Sequence, residues 1–353
     1  ISSVNTGISN GTSTKTVFST IRGVFVKLAS LKNGKDGRLV VVSRDLERAV
    51  AVPAIAATML DAVERWSECE PKLLEIYENL NAGAVADAFA FDSRQAAAPL
   101  PRAPQWCDGS AFLNHGRLME KAFGLPPVPD VETIPLMYQG ASDDFLGAHD
   151  DVPLPDEADG IDFEAEFGVV VNAVPMACSV EAARAHIILL VQINDVSLRS
   201  MGPREMKTGF GFLQAKPSSA FAPVAVTPDE LGDAWHQSRV QLDLQISWNG
   251  AWFGNPNGRE MNFGFDQLIA HAARTRRLSA GTVIGSGTVS NAERSRGSGC
   301  IAERRAIEVI DQGAPSTPFM KYGDWVRMEA LLEGKPLFGV IDQCIVSANL
   351  TQG

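Results

Sequence analysis

The sequence predicts an α+β, mostly β protein. A small N-terminal α/β unit is expected over residues 26–100 and a larger, mostly β unit over residues 101–353. Three observations predict it. Apolar runs of strand length dominate beyond residue 135. Apolar spacings of three and four residues are concentrated between Leu46 and Leu80. Between them lies a stretch with prolines at 99, 101 and 104, which disfavours helix and marks a connector. At 353 residues the chain suits about two domains with a real core.

Residues 1–23 are rich in Ser, Thr, Asn and Gly, contain no acidic residue and have no long apolar run. They read as an upstream tail and not a secretory signal, and residues 1–25 are expected to lie outside the fold. Next, VKLASL and RLVVVS flank a glycine-bearing turn at 32–37, the pattern of a β-hairpin. From Leu46 onward Leu60, Val63, Trp66, Leu73, Tyr77 and Leu80 recur at helical spacing, so helices are expected over 46–80. The proline-rich stretch 125–135 reads as a loop. Strand-like runs follow: FEAEFGVVV, VQLDLQISW, GTVIGSGTVS, CIAERRAIEVI and DWVRMEALL. Helix-like pieces lie between them at 179–192 and 265–277.

Lys plus Arg number 31 against 42 Asp plus Glu, a formal charge of −11. That balance excludes the clustered positive charge that nucleic acid or an anionic membrane surface requires. The most apolar stretch, 49–60, is interrupted by Pro53 and is about half of the ~20 residues a membrane helix needs. Five cysteines, widely spaced and without a CxxC pair, indicate neither a disulfide framework nor a zinc site. Reduced thiols in a cytoplasmic protein are the expectation.

The chemistry concentrates in a few segments. In Gly160-Ile-Asp162-Phe163-Glu164-Ala165-Glu166-Phe167, strand alternation would put Asp162, Glu164 and Glu166 on one face, about 7 Å apart in succession. Such carboxylates repel unless exposed, protonated or bridged by a cation, and Glu-x-Glu is a natural half of a Mg²⁺ or Ca²⁺ site. A charged, solvated strand face is the alternative. Asp195 ends the apolar run 186–194, where burial penalises an unpaired carboxylate; a cap or turn role is equally open. Arg199 and Lys216 follow, the lysine amid apolar and small residues. None of the five histidines shows HExxH spacing, and neither a G-x-S-x-G elbow nor a Walker A loop is present.

Taken together, Tyr138-Gln139-Gly140, 160–166, Asn194-Asp195-Val-Ser-Leu-Arg199, Gln214-Ala-Lys216-Pro-Ser-Ser and Gly285-Ser286-Gly287-Thr288-Val-Ser-Asn291 resemble the fumarylacetoacetate hydrolase family. The bacterial fumarylacetoacetase-like branch fits best, from about Val26 to the C-terminus. The resemblance implies a small N-terminal domain followed by a mixed β-sandwich roll, assembled as a homodimer. It implies metal-dependent hydrolysis of a carbon–carbon bond in an anionic β-diketo acid, fumarylacetoacetate giving fumarate and acetoacetate in aromatic amino-acid catabolism. It places the metal ligands on Asp108, Glu164, Glu166 and Asp195, for Mg²⁺ or Ca²⁺, with Mn²⁺ equally suited to oxygen ligands. The general base falls on His115, oriented by Glu303, with Arg199 and Lys216 as the cationic groups and Tyr138 and Thr288 lining the substrate pocket. Departures from the family pattern fall at Gln139, Gly202 and the Ser218–Ala220 run, and they bear on the substrate's distal end.

Two other readings remain open on these residues. The same fold and metal could serve an isomerase, decarboxylase or dehydratase of a 2-oxo acid, although His115 with Glu303 favours hydrolysis, because the other reactions need no activated water. A non-catalytic divalent-cation protein would use the carboxylates but leave His115, Lys216 and Arg199 without a purpose.

Overall fold

A computed structural model describes residues 23–348. The N-terminal tail expectation falls on residues of which 1–22 lie outside the described ones.

The chain builds two stacked sheets with helices on the outer face of the larger one. The large sheet has eleven strands. From one edge they run Phe89–Ala90, Arg48–Ala51, Arg38–Val42, Lys27–Leu31, Val224–Val226, Ile187–Asn194, Ala165–Val171, Val283–Gly285, Trp106–Gly109 and Met137–Gly140, with Ala220–Phe221 beside Ile187–Asn194. The hairpin expected at the N-terminus is present, with Lys27 opposite Val42 and Leu31 opposite Arg38. Its first strand also pairs antiparallel with Val224–Val226, so the N-terminal strands extend the same sheet. The proline-spaced connector has no regular structure but is packed, with Ala98, Leu100 and Ala103 buried. A six-stranded sheet, containing Ala251–Gly254, Asp243–Trp248, Trp325–Leu332, Ile341–Ser347 and Val152–Leu154, covers one face of the large one.

Strand alternation sorts the apolar side chains into two cores. Phe167, Val169, Leu190, Val224, Leu244, Met328 and Phe338 pack between the sheets. Leu28, Val41, Val170, Leu189, Val191 and Ile193 pack on the other face against Met59, Leu73, Tyr77 and Leu80 of the helices Met59–Glu64 and Trp66–Asn81.

Three elements differ from the sequence reading. The helix-like piece 179–192 yields only a short helix at Val180–Ala183 and a turn, and Ile187–Asn194 is a strand. A strand covered on both sides is apolar at every position, which hides its period of two. Likewise the helical region expected from Leu46 starts later, since Arg48–Ala51 pairs with Val40–Val42. The first helix begins at Met59, where Thr58 Oγ1 accepts the Asp61 N–H at 3.2 Å. Conversely, CIAERRAIEVI is not a strand but the helix Ile301–Gln312. Its β-branched residues suggested a strand; Ala302, Glu303, Arg304, Arg305 and Ala306 are strong helix formers, and Gly313 ends it in the left-handed conformation at φ 86°. Among the described residues no helix is long and apolar enough to cross a membrane, and all five cysteines are unpaired.

Candidate metal centre and active site

The strand order brings distant acidic residues to one end of the large sheet. Glu166 is the second residue of Ala165–Val171, Asp195 follows Ile187–Asn194, and Asp108 lies on Trp106–Gly109 opposite Gly285. One oxygen from each of Asp108, Glu166 and Asp195 lies within 4.8 Å of the others, and all three residues are buried. Neither oxygen of the Glu166 carboxylate has a hydrogen-bond partner. Burial, reinforced by the neighbouring carboxylates, pushes Asp108 and Glu166 well above the usual carboxylate range. Asp195 is better served, accepting from Tyr138 Oη at 2.6 Å, Lys216 Nζ at 2.6 Å and Ser219 Oγ at 2.7 Å. Three buried carboxylates converging with two orphaned oxygens are the donor set of a hard divalent cation, so the residues fit the metal that the sequence reading implied.

Glu164 adjoins this cluster and is held in ion pairs. Its Oε1 lies 2.6 Å from Arg199 Nη2 and 3.2 Å from Lys216 Nζ and accepts from Ser197 Oγ at 2.9 Å. Thr288 Oγ1 donates to its Oε2 at 2.8 Å. Burial would raise the Glu164 pKa, but Lys216 and Arg199 outweigh it and hold the carboxyl well below its ordinary range. Of the four expected carboxylates, Asp108, Glu166 and Asp195 have an oxygen each within 4.8 Å of one another, and Glu164 adjoins them in ion pairs, with Lys216 Nζ bridging Glu164 and Asp195. Burial opposes a charge on Lys216, yet Asp195 and Glu164 more than compensate and keep it protonated.

Nor do Asp162, Glu164 and Glu166 share one strand face. The strand is interrupted between Ile161–Asp162 and Ala165–Val171, and Glu164 instead bridges to Cys300. The Asp162 carboxylate points to Arg199 and to the start of the helix Ile301–Gln312.

His115 lies in the first turn of the helix Leu113–Phe123, and Glu303 in the first turn of Ile301–Gln312. Their side chains meet at 2.9 Å, His115 Nδ1 to Glu303 Oε2. Glu303 is buried while His115 remains partly open, so the ring's Nε2 is the nitrogen left for a solvent molecule. Tyr138, directly opposite Asp108 on the edge strand, is steadied by an edge-on contact with Phe212 at 5.2 Å. Gln139 alternates to the other side and lies opposite Cys107, away from Asp108.

Several supporting groups escaped the sequence reading. Ser197 and Ser219 donate to Glu164 and Asp195, and the Gly287 N–H donates to Asp108 Oδ1 at 3.0 Å. The hydroxyls sit two residues after Asp195 and three after Lys216, a signal available in hindsight only. Gly285 is equally specific: a Cβ there would lie 2.3 Å from Asp108 Oδ1 and 2.3 Å from the Trp106 ring. Gly285→Ala is expected to destabilise the fold by about 1–3 kcal/mol and to weaken cation binding, as read by thermal unfolding and metal titration.

The loop that leads into Lys216 is held by another carboxylate. Glu205 accepts backbone N–H groups from Leu213 at 3.1 Å, Gln214 at 2.8 Å and Ala215 at 3.0 Å. The bond from Gln214 leads in lowering its pKa from the ordinary 4.5. A depressed folded pKa contributes stability that is present above the unfolded value and lost as pH falls through the folded one. Glu205→Gln is therefore expected to lower the melting temperature at neutral pH and to make little difference at about pH 3, by calorimetry at both.

The family model described as fumarylacetoacetate hydrolase C-terminal matches residues 105–346, and that described as fumarylacetoacetase N-terminal domain 2 matches residues 26–102. A 2,4-didehydro-3-deoxy-L-rhamnonate hydrolase from Sphingomonas sp. is 31% identical over 165 residues, 46% of this chain and 54% of that protein. A mitochondrial oxaloacetate tautomerase from Xenopus laevis is 28% identical over 185 residues, 52% of this chain and 53% of its own length. The chain thus spans about half the length of these curated relatives. Among solved structures, maleylpyruvate hydrolase from Sphingobium sp. SYK-6, in complex with manganese(II) and pyruvate, superposes with a TM-score of 0.58 at 16% identity, over 91% of this chain and 99% of that one. With its two-sheet architecture and family matches covering both parts of the described chain, the protein belongs to the fumarylacetoacetate hydrolase family.

Proposed function

We propose that this protein is a metal-dependent hydrolase that cleaves a carbon–carbon bond in a β-diketo acid, with fumarylacetoacetate to fumarate and acetoacetate as its reaction, in a cytoplasmic homodimer. The observation that carries the reading is the His115–Glu303 pair, which is linked to the Asp108, Glu166 and Asp195 cluster through Glu164: His115 lies near enough to Glu164 to favour its ionised form, and Lys216 Nζ joins Glu164 to Asp195. A base with its own orienting carboxylate is the apparatus for activating water.

Asp108, Glu166 and Asp195 would hold the cation, with Glu164 at its border. A divalent ion there would supply Lewis-acid polarisation of the substrate's oxygens, a role open to Mg²⁺, Ca²⁺ or Mn²⁺ alike. His115 Nε2, its ring fixed through Nδ1 by Glu303, takes a proton from water as the oxygen adds to the fumaryl carbonyl, which becomes the new carboxyl group of fumarate. The negative charge that develops on that carbonyl oxygen is countered by Arg199. Collapse breaks the carbon–carbon bond, and Lys216, held protonated by Asp195 and Glu164, delivers a proton to the departing carbon. Tyr138 and Thr288, bonded to Asp195 and Glu164, keep those carboxylates oriented beside the substrate pocket.

A second reading has a specific motive in the similarity to an oxaloacetate tautomerase. Tautomerisation needs only proton shuttling between carbon and oxygen. A panel of fumarylacetoacetate, fumarylpyruvate, acetopyruvate and oxaloacetate, assayed with Mn²⁺ or Mg²⁺ supplied and then chelated, separates the two. Metal-dependent release of two acids from a diketo substrate supports hydrolysis. Interconversion of keto and enol oxaloacetate without any cleavage product would replace it with the tautomerase reading.

A further inference from the structure

Asp162 is completely buried, yet the proposed reaction assigns it no part. Its Oδ1 accepts the Ile301 N–H at 2.7 Å, and its Oδ2 accepts both the Ala302 N–H at 2.9 Å and Arg199 Nε at 2.8 Å. The two backbone donors open the helix Ile301–Gln312, whose first turn carries Glu303 and through it His115. The third donor belongs to the guanidinium that reaches Glu164 at 2.6 Å. One carboxylate therefore ties the helix turn that carries Glu303 to the Arg199 guanidinium.

Helix capping alone does not require this residue. A Ser or Asn would satisfy orphan N–H groups at the helix start with far less desolvation than a buried carboxylate. Taking two backbone N–H groups and an arginine Nε together needs the two oxygens and the charge of an aspartate. Arg199 has many rotamers to lose, and a bond to its Nε restricts the plane of the guanidinium.

We propose that Asp162 is a positioning residue that fixes Arg199 relative to Glu303, so that substrate orientation and water activation are set by one side chain. The part concerning Glu303 rests on the proposed hydrolysis; the part concerning Arg199 needs only that a small 2-oxo acid binds at the metal-loaded site.

Asp162→Asn tests it, because the amide keeps the shape but turns an N–H₂ toward donors. Pyruvate is the probe, titrated calorimetrically into the Mn²⁺-loaded protein, alongside kcat and KM for whichever acid of the panel the wild type cleaves. The variant should keep its near-ultraviolet circular dichroism and bind Mn²⁺ within about threefold of wild type. Its Kd for pyruvate should rise about tenfold and its kcat fall about tenfold, the scale of lost charge-assisted hydrogen bonds. In an Arg199→Ala background the same change should leave the pyruvate Kd within about threefold, since the two residues act as a unit. Asp162→Ser, which can still cap the helix, should weaken pyruvate binding but spare most of kcat.

An equal loss of pyruvate affinity with and without Arg199, or no loss in either, overturns the proposal. Should Asp162→Asn fail to fold, Asp162→Ser carries the test, and an unchanged pyruvate Kd refutes the assignment. A wild type that binds pyruvate but cleaves no acid of the panel defeats the hydrolase reading while the binding cycle still decides the link to Arg199.

Discussion

Glu166→Gln is expected to cost the protein its divalent cation and, at the same time, to make the cation-free protein harder to unfold. The two effects have opposite signs because one carboxylate serves both states. With no cation, Glu166 is a buried acid with two unpartnered oxygens facing Asp108 and Asp195, and burial plus those neighbours work against its charge. Glutamine keeps the volume, removes the repulsion and adds a donor for a neighbouring carboxylate oxygen. With a cation, the same substitution deletes an anionic ligand. Outer-shell partners of a metal typically contribute 10–100-fold to affinity, so a ligand should cost at least about 100-fold. Calorimetric titration with Mn²⁺ and melting curves with and without the metal check both halves. Wild type should gain melting temperature with metal and the variant should not, since stabilisation follows the ratio of free ligand to Kd. A variant that still gains the full increment would place the cation elsewhere.

His115→Ala should do the reverse, leaving the cation bound and removing turnover. His115 belongs to the helix Leu113–Phe123 and is not among the three clustered carboxylates. Mn²⁺ affinity is accordingly expected to stay within about threefold, while kcat falls about a thousandfold, within the range contributed by a positioned general base. Glu303→Gln should fall between wild type and His115→Ala, because the amide can hold the ring without stabilising its protonated form. Retained turnover in His115→Ala would end its assignment as base. Loss of both metal and turnover would instead point to collapse of the site.

How far the sequence reached depends on the range of the interaction concerned. The N-terminal hairpin and the helices around Leu60 to Leu80 were legible, because their signals are local turn chemistry and spacing. Ile187–Asn194 was misread as helical and Ile301–Gln312 as a strand. In the first case burial on both faces erased the alternation; in the second, β-branched residues sat among strong helix formers. The pairing of His115 with Glu303 came from motif resemblance, since 188 residues separate them and no local pattern connects the two.

By itself the sequence determined a largely β protein with an excess of carboxylates, formal charge −11, and pointed to the motif segments in which several of them fall. The first two follow from composition and short-range periodicity, and the motif segments from the family resemblance. Which carboxylates meet was decided only by tertiary structure. Asp108, Glu166 and Asp195 converge because three strands end together at one side of the sheet. Glu164 and Asp162, close to Glu166 in the chain, are drawn off to Lys216, Arg199 and a helix N-terminus because the strand breaks between them. Alternation along an unbroken strand would have put all three on one face; pairing with partners more than thirty residues away set the directions of Glu164 and Asp162.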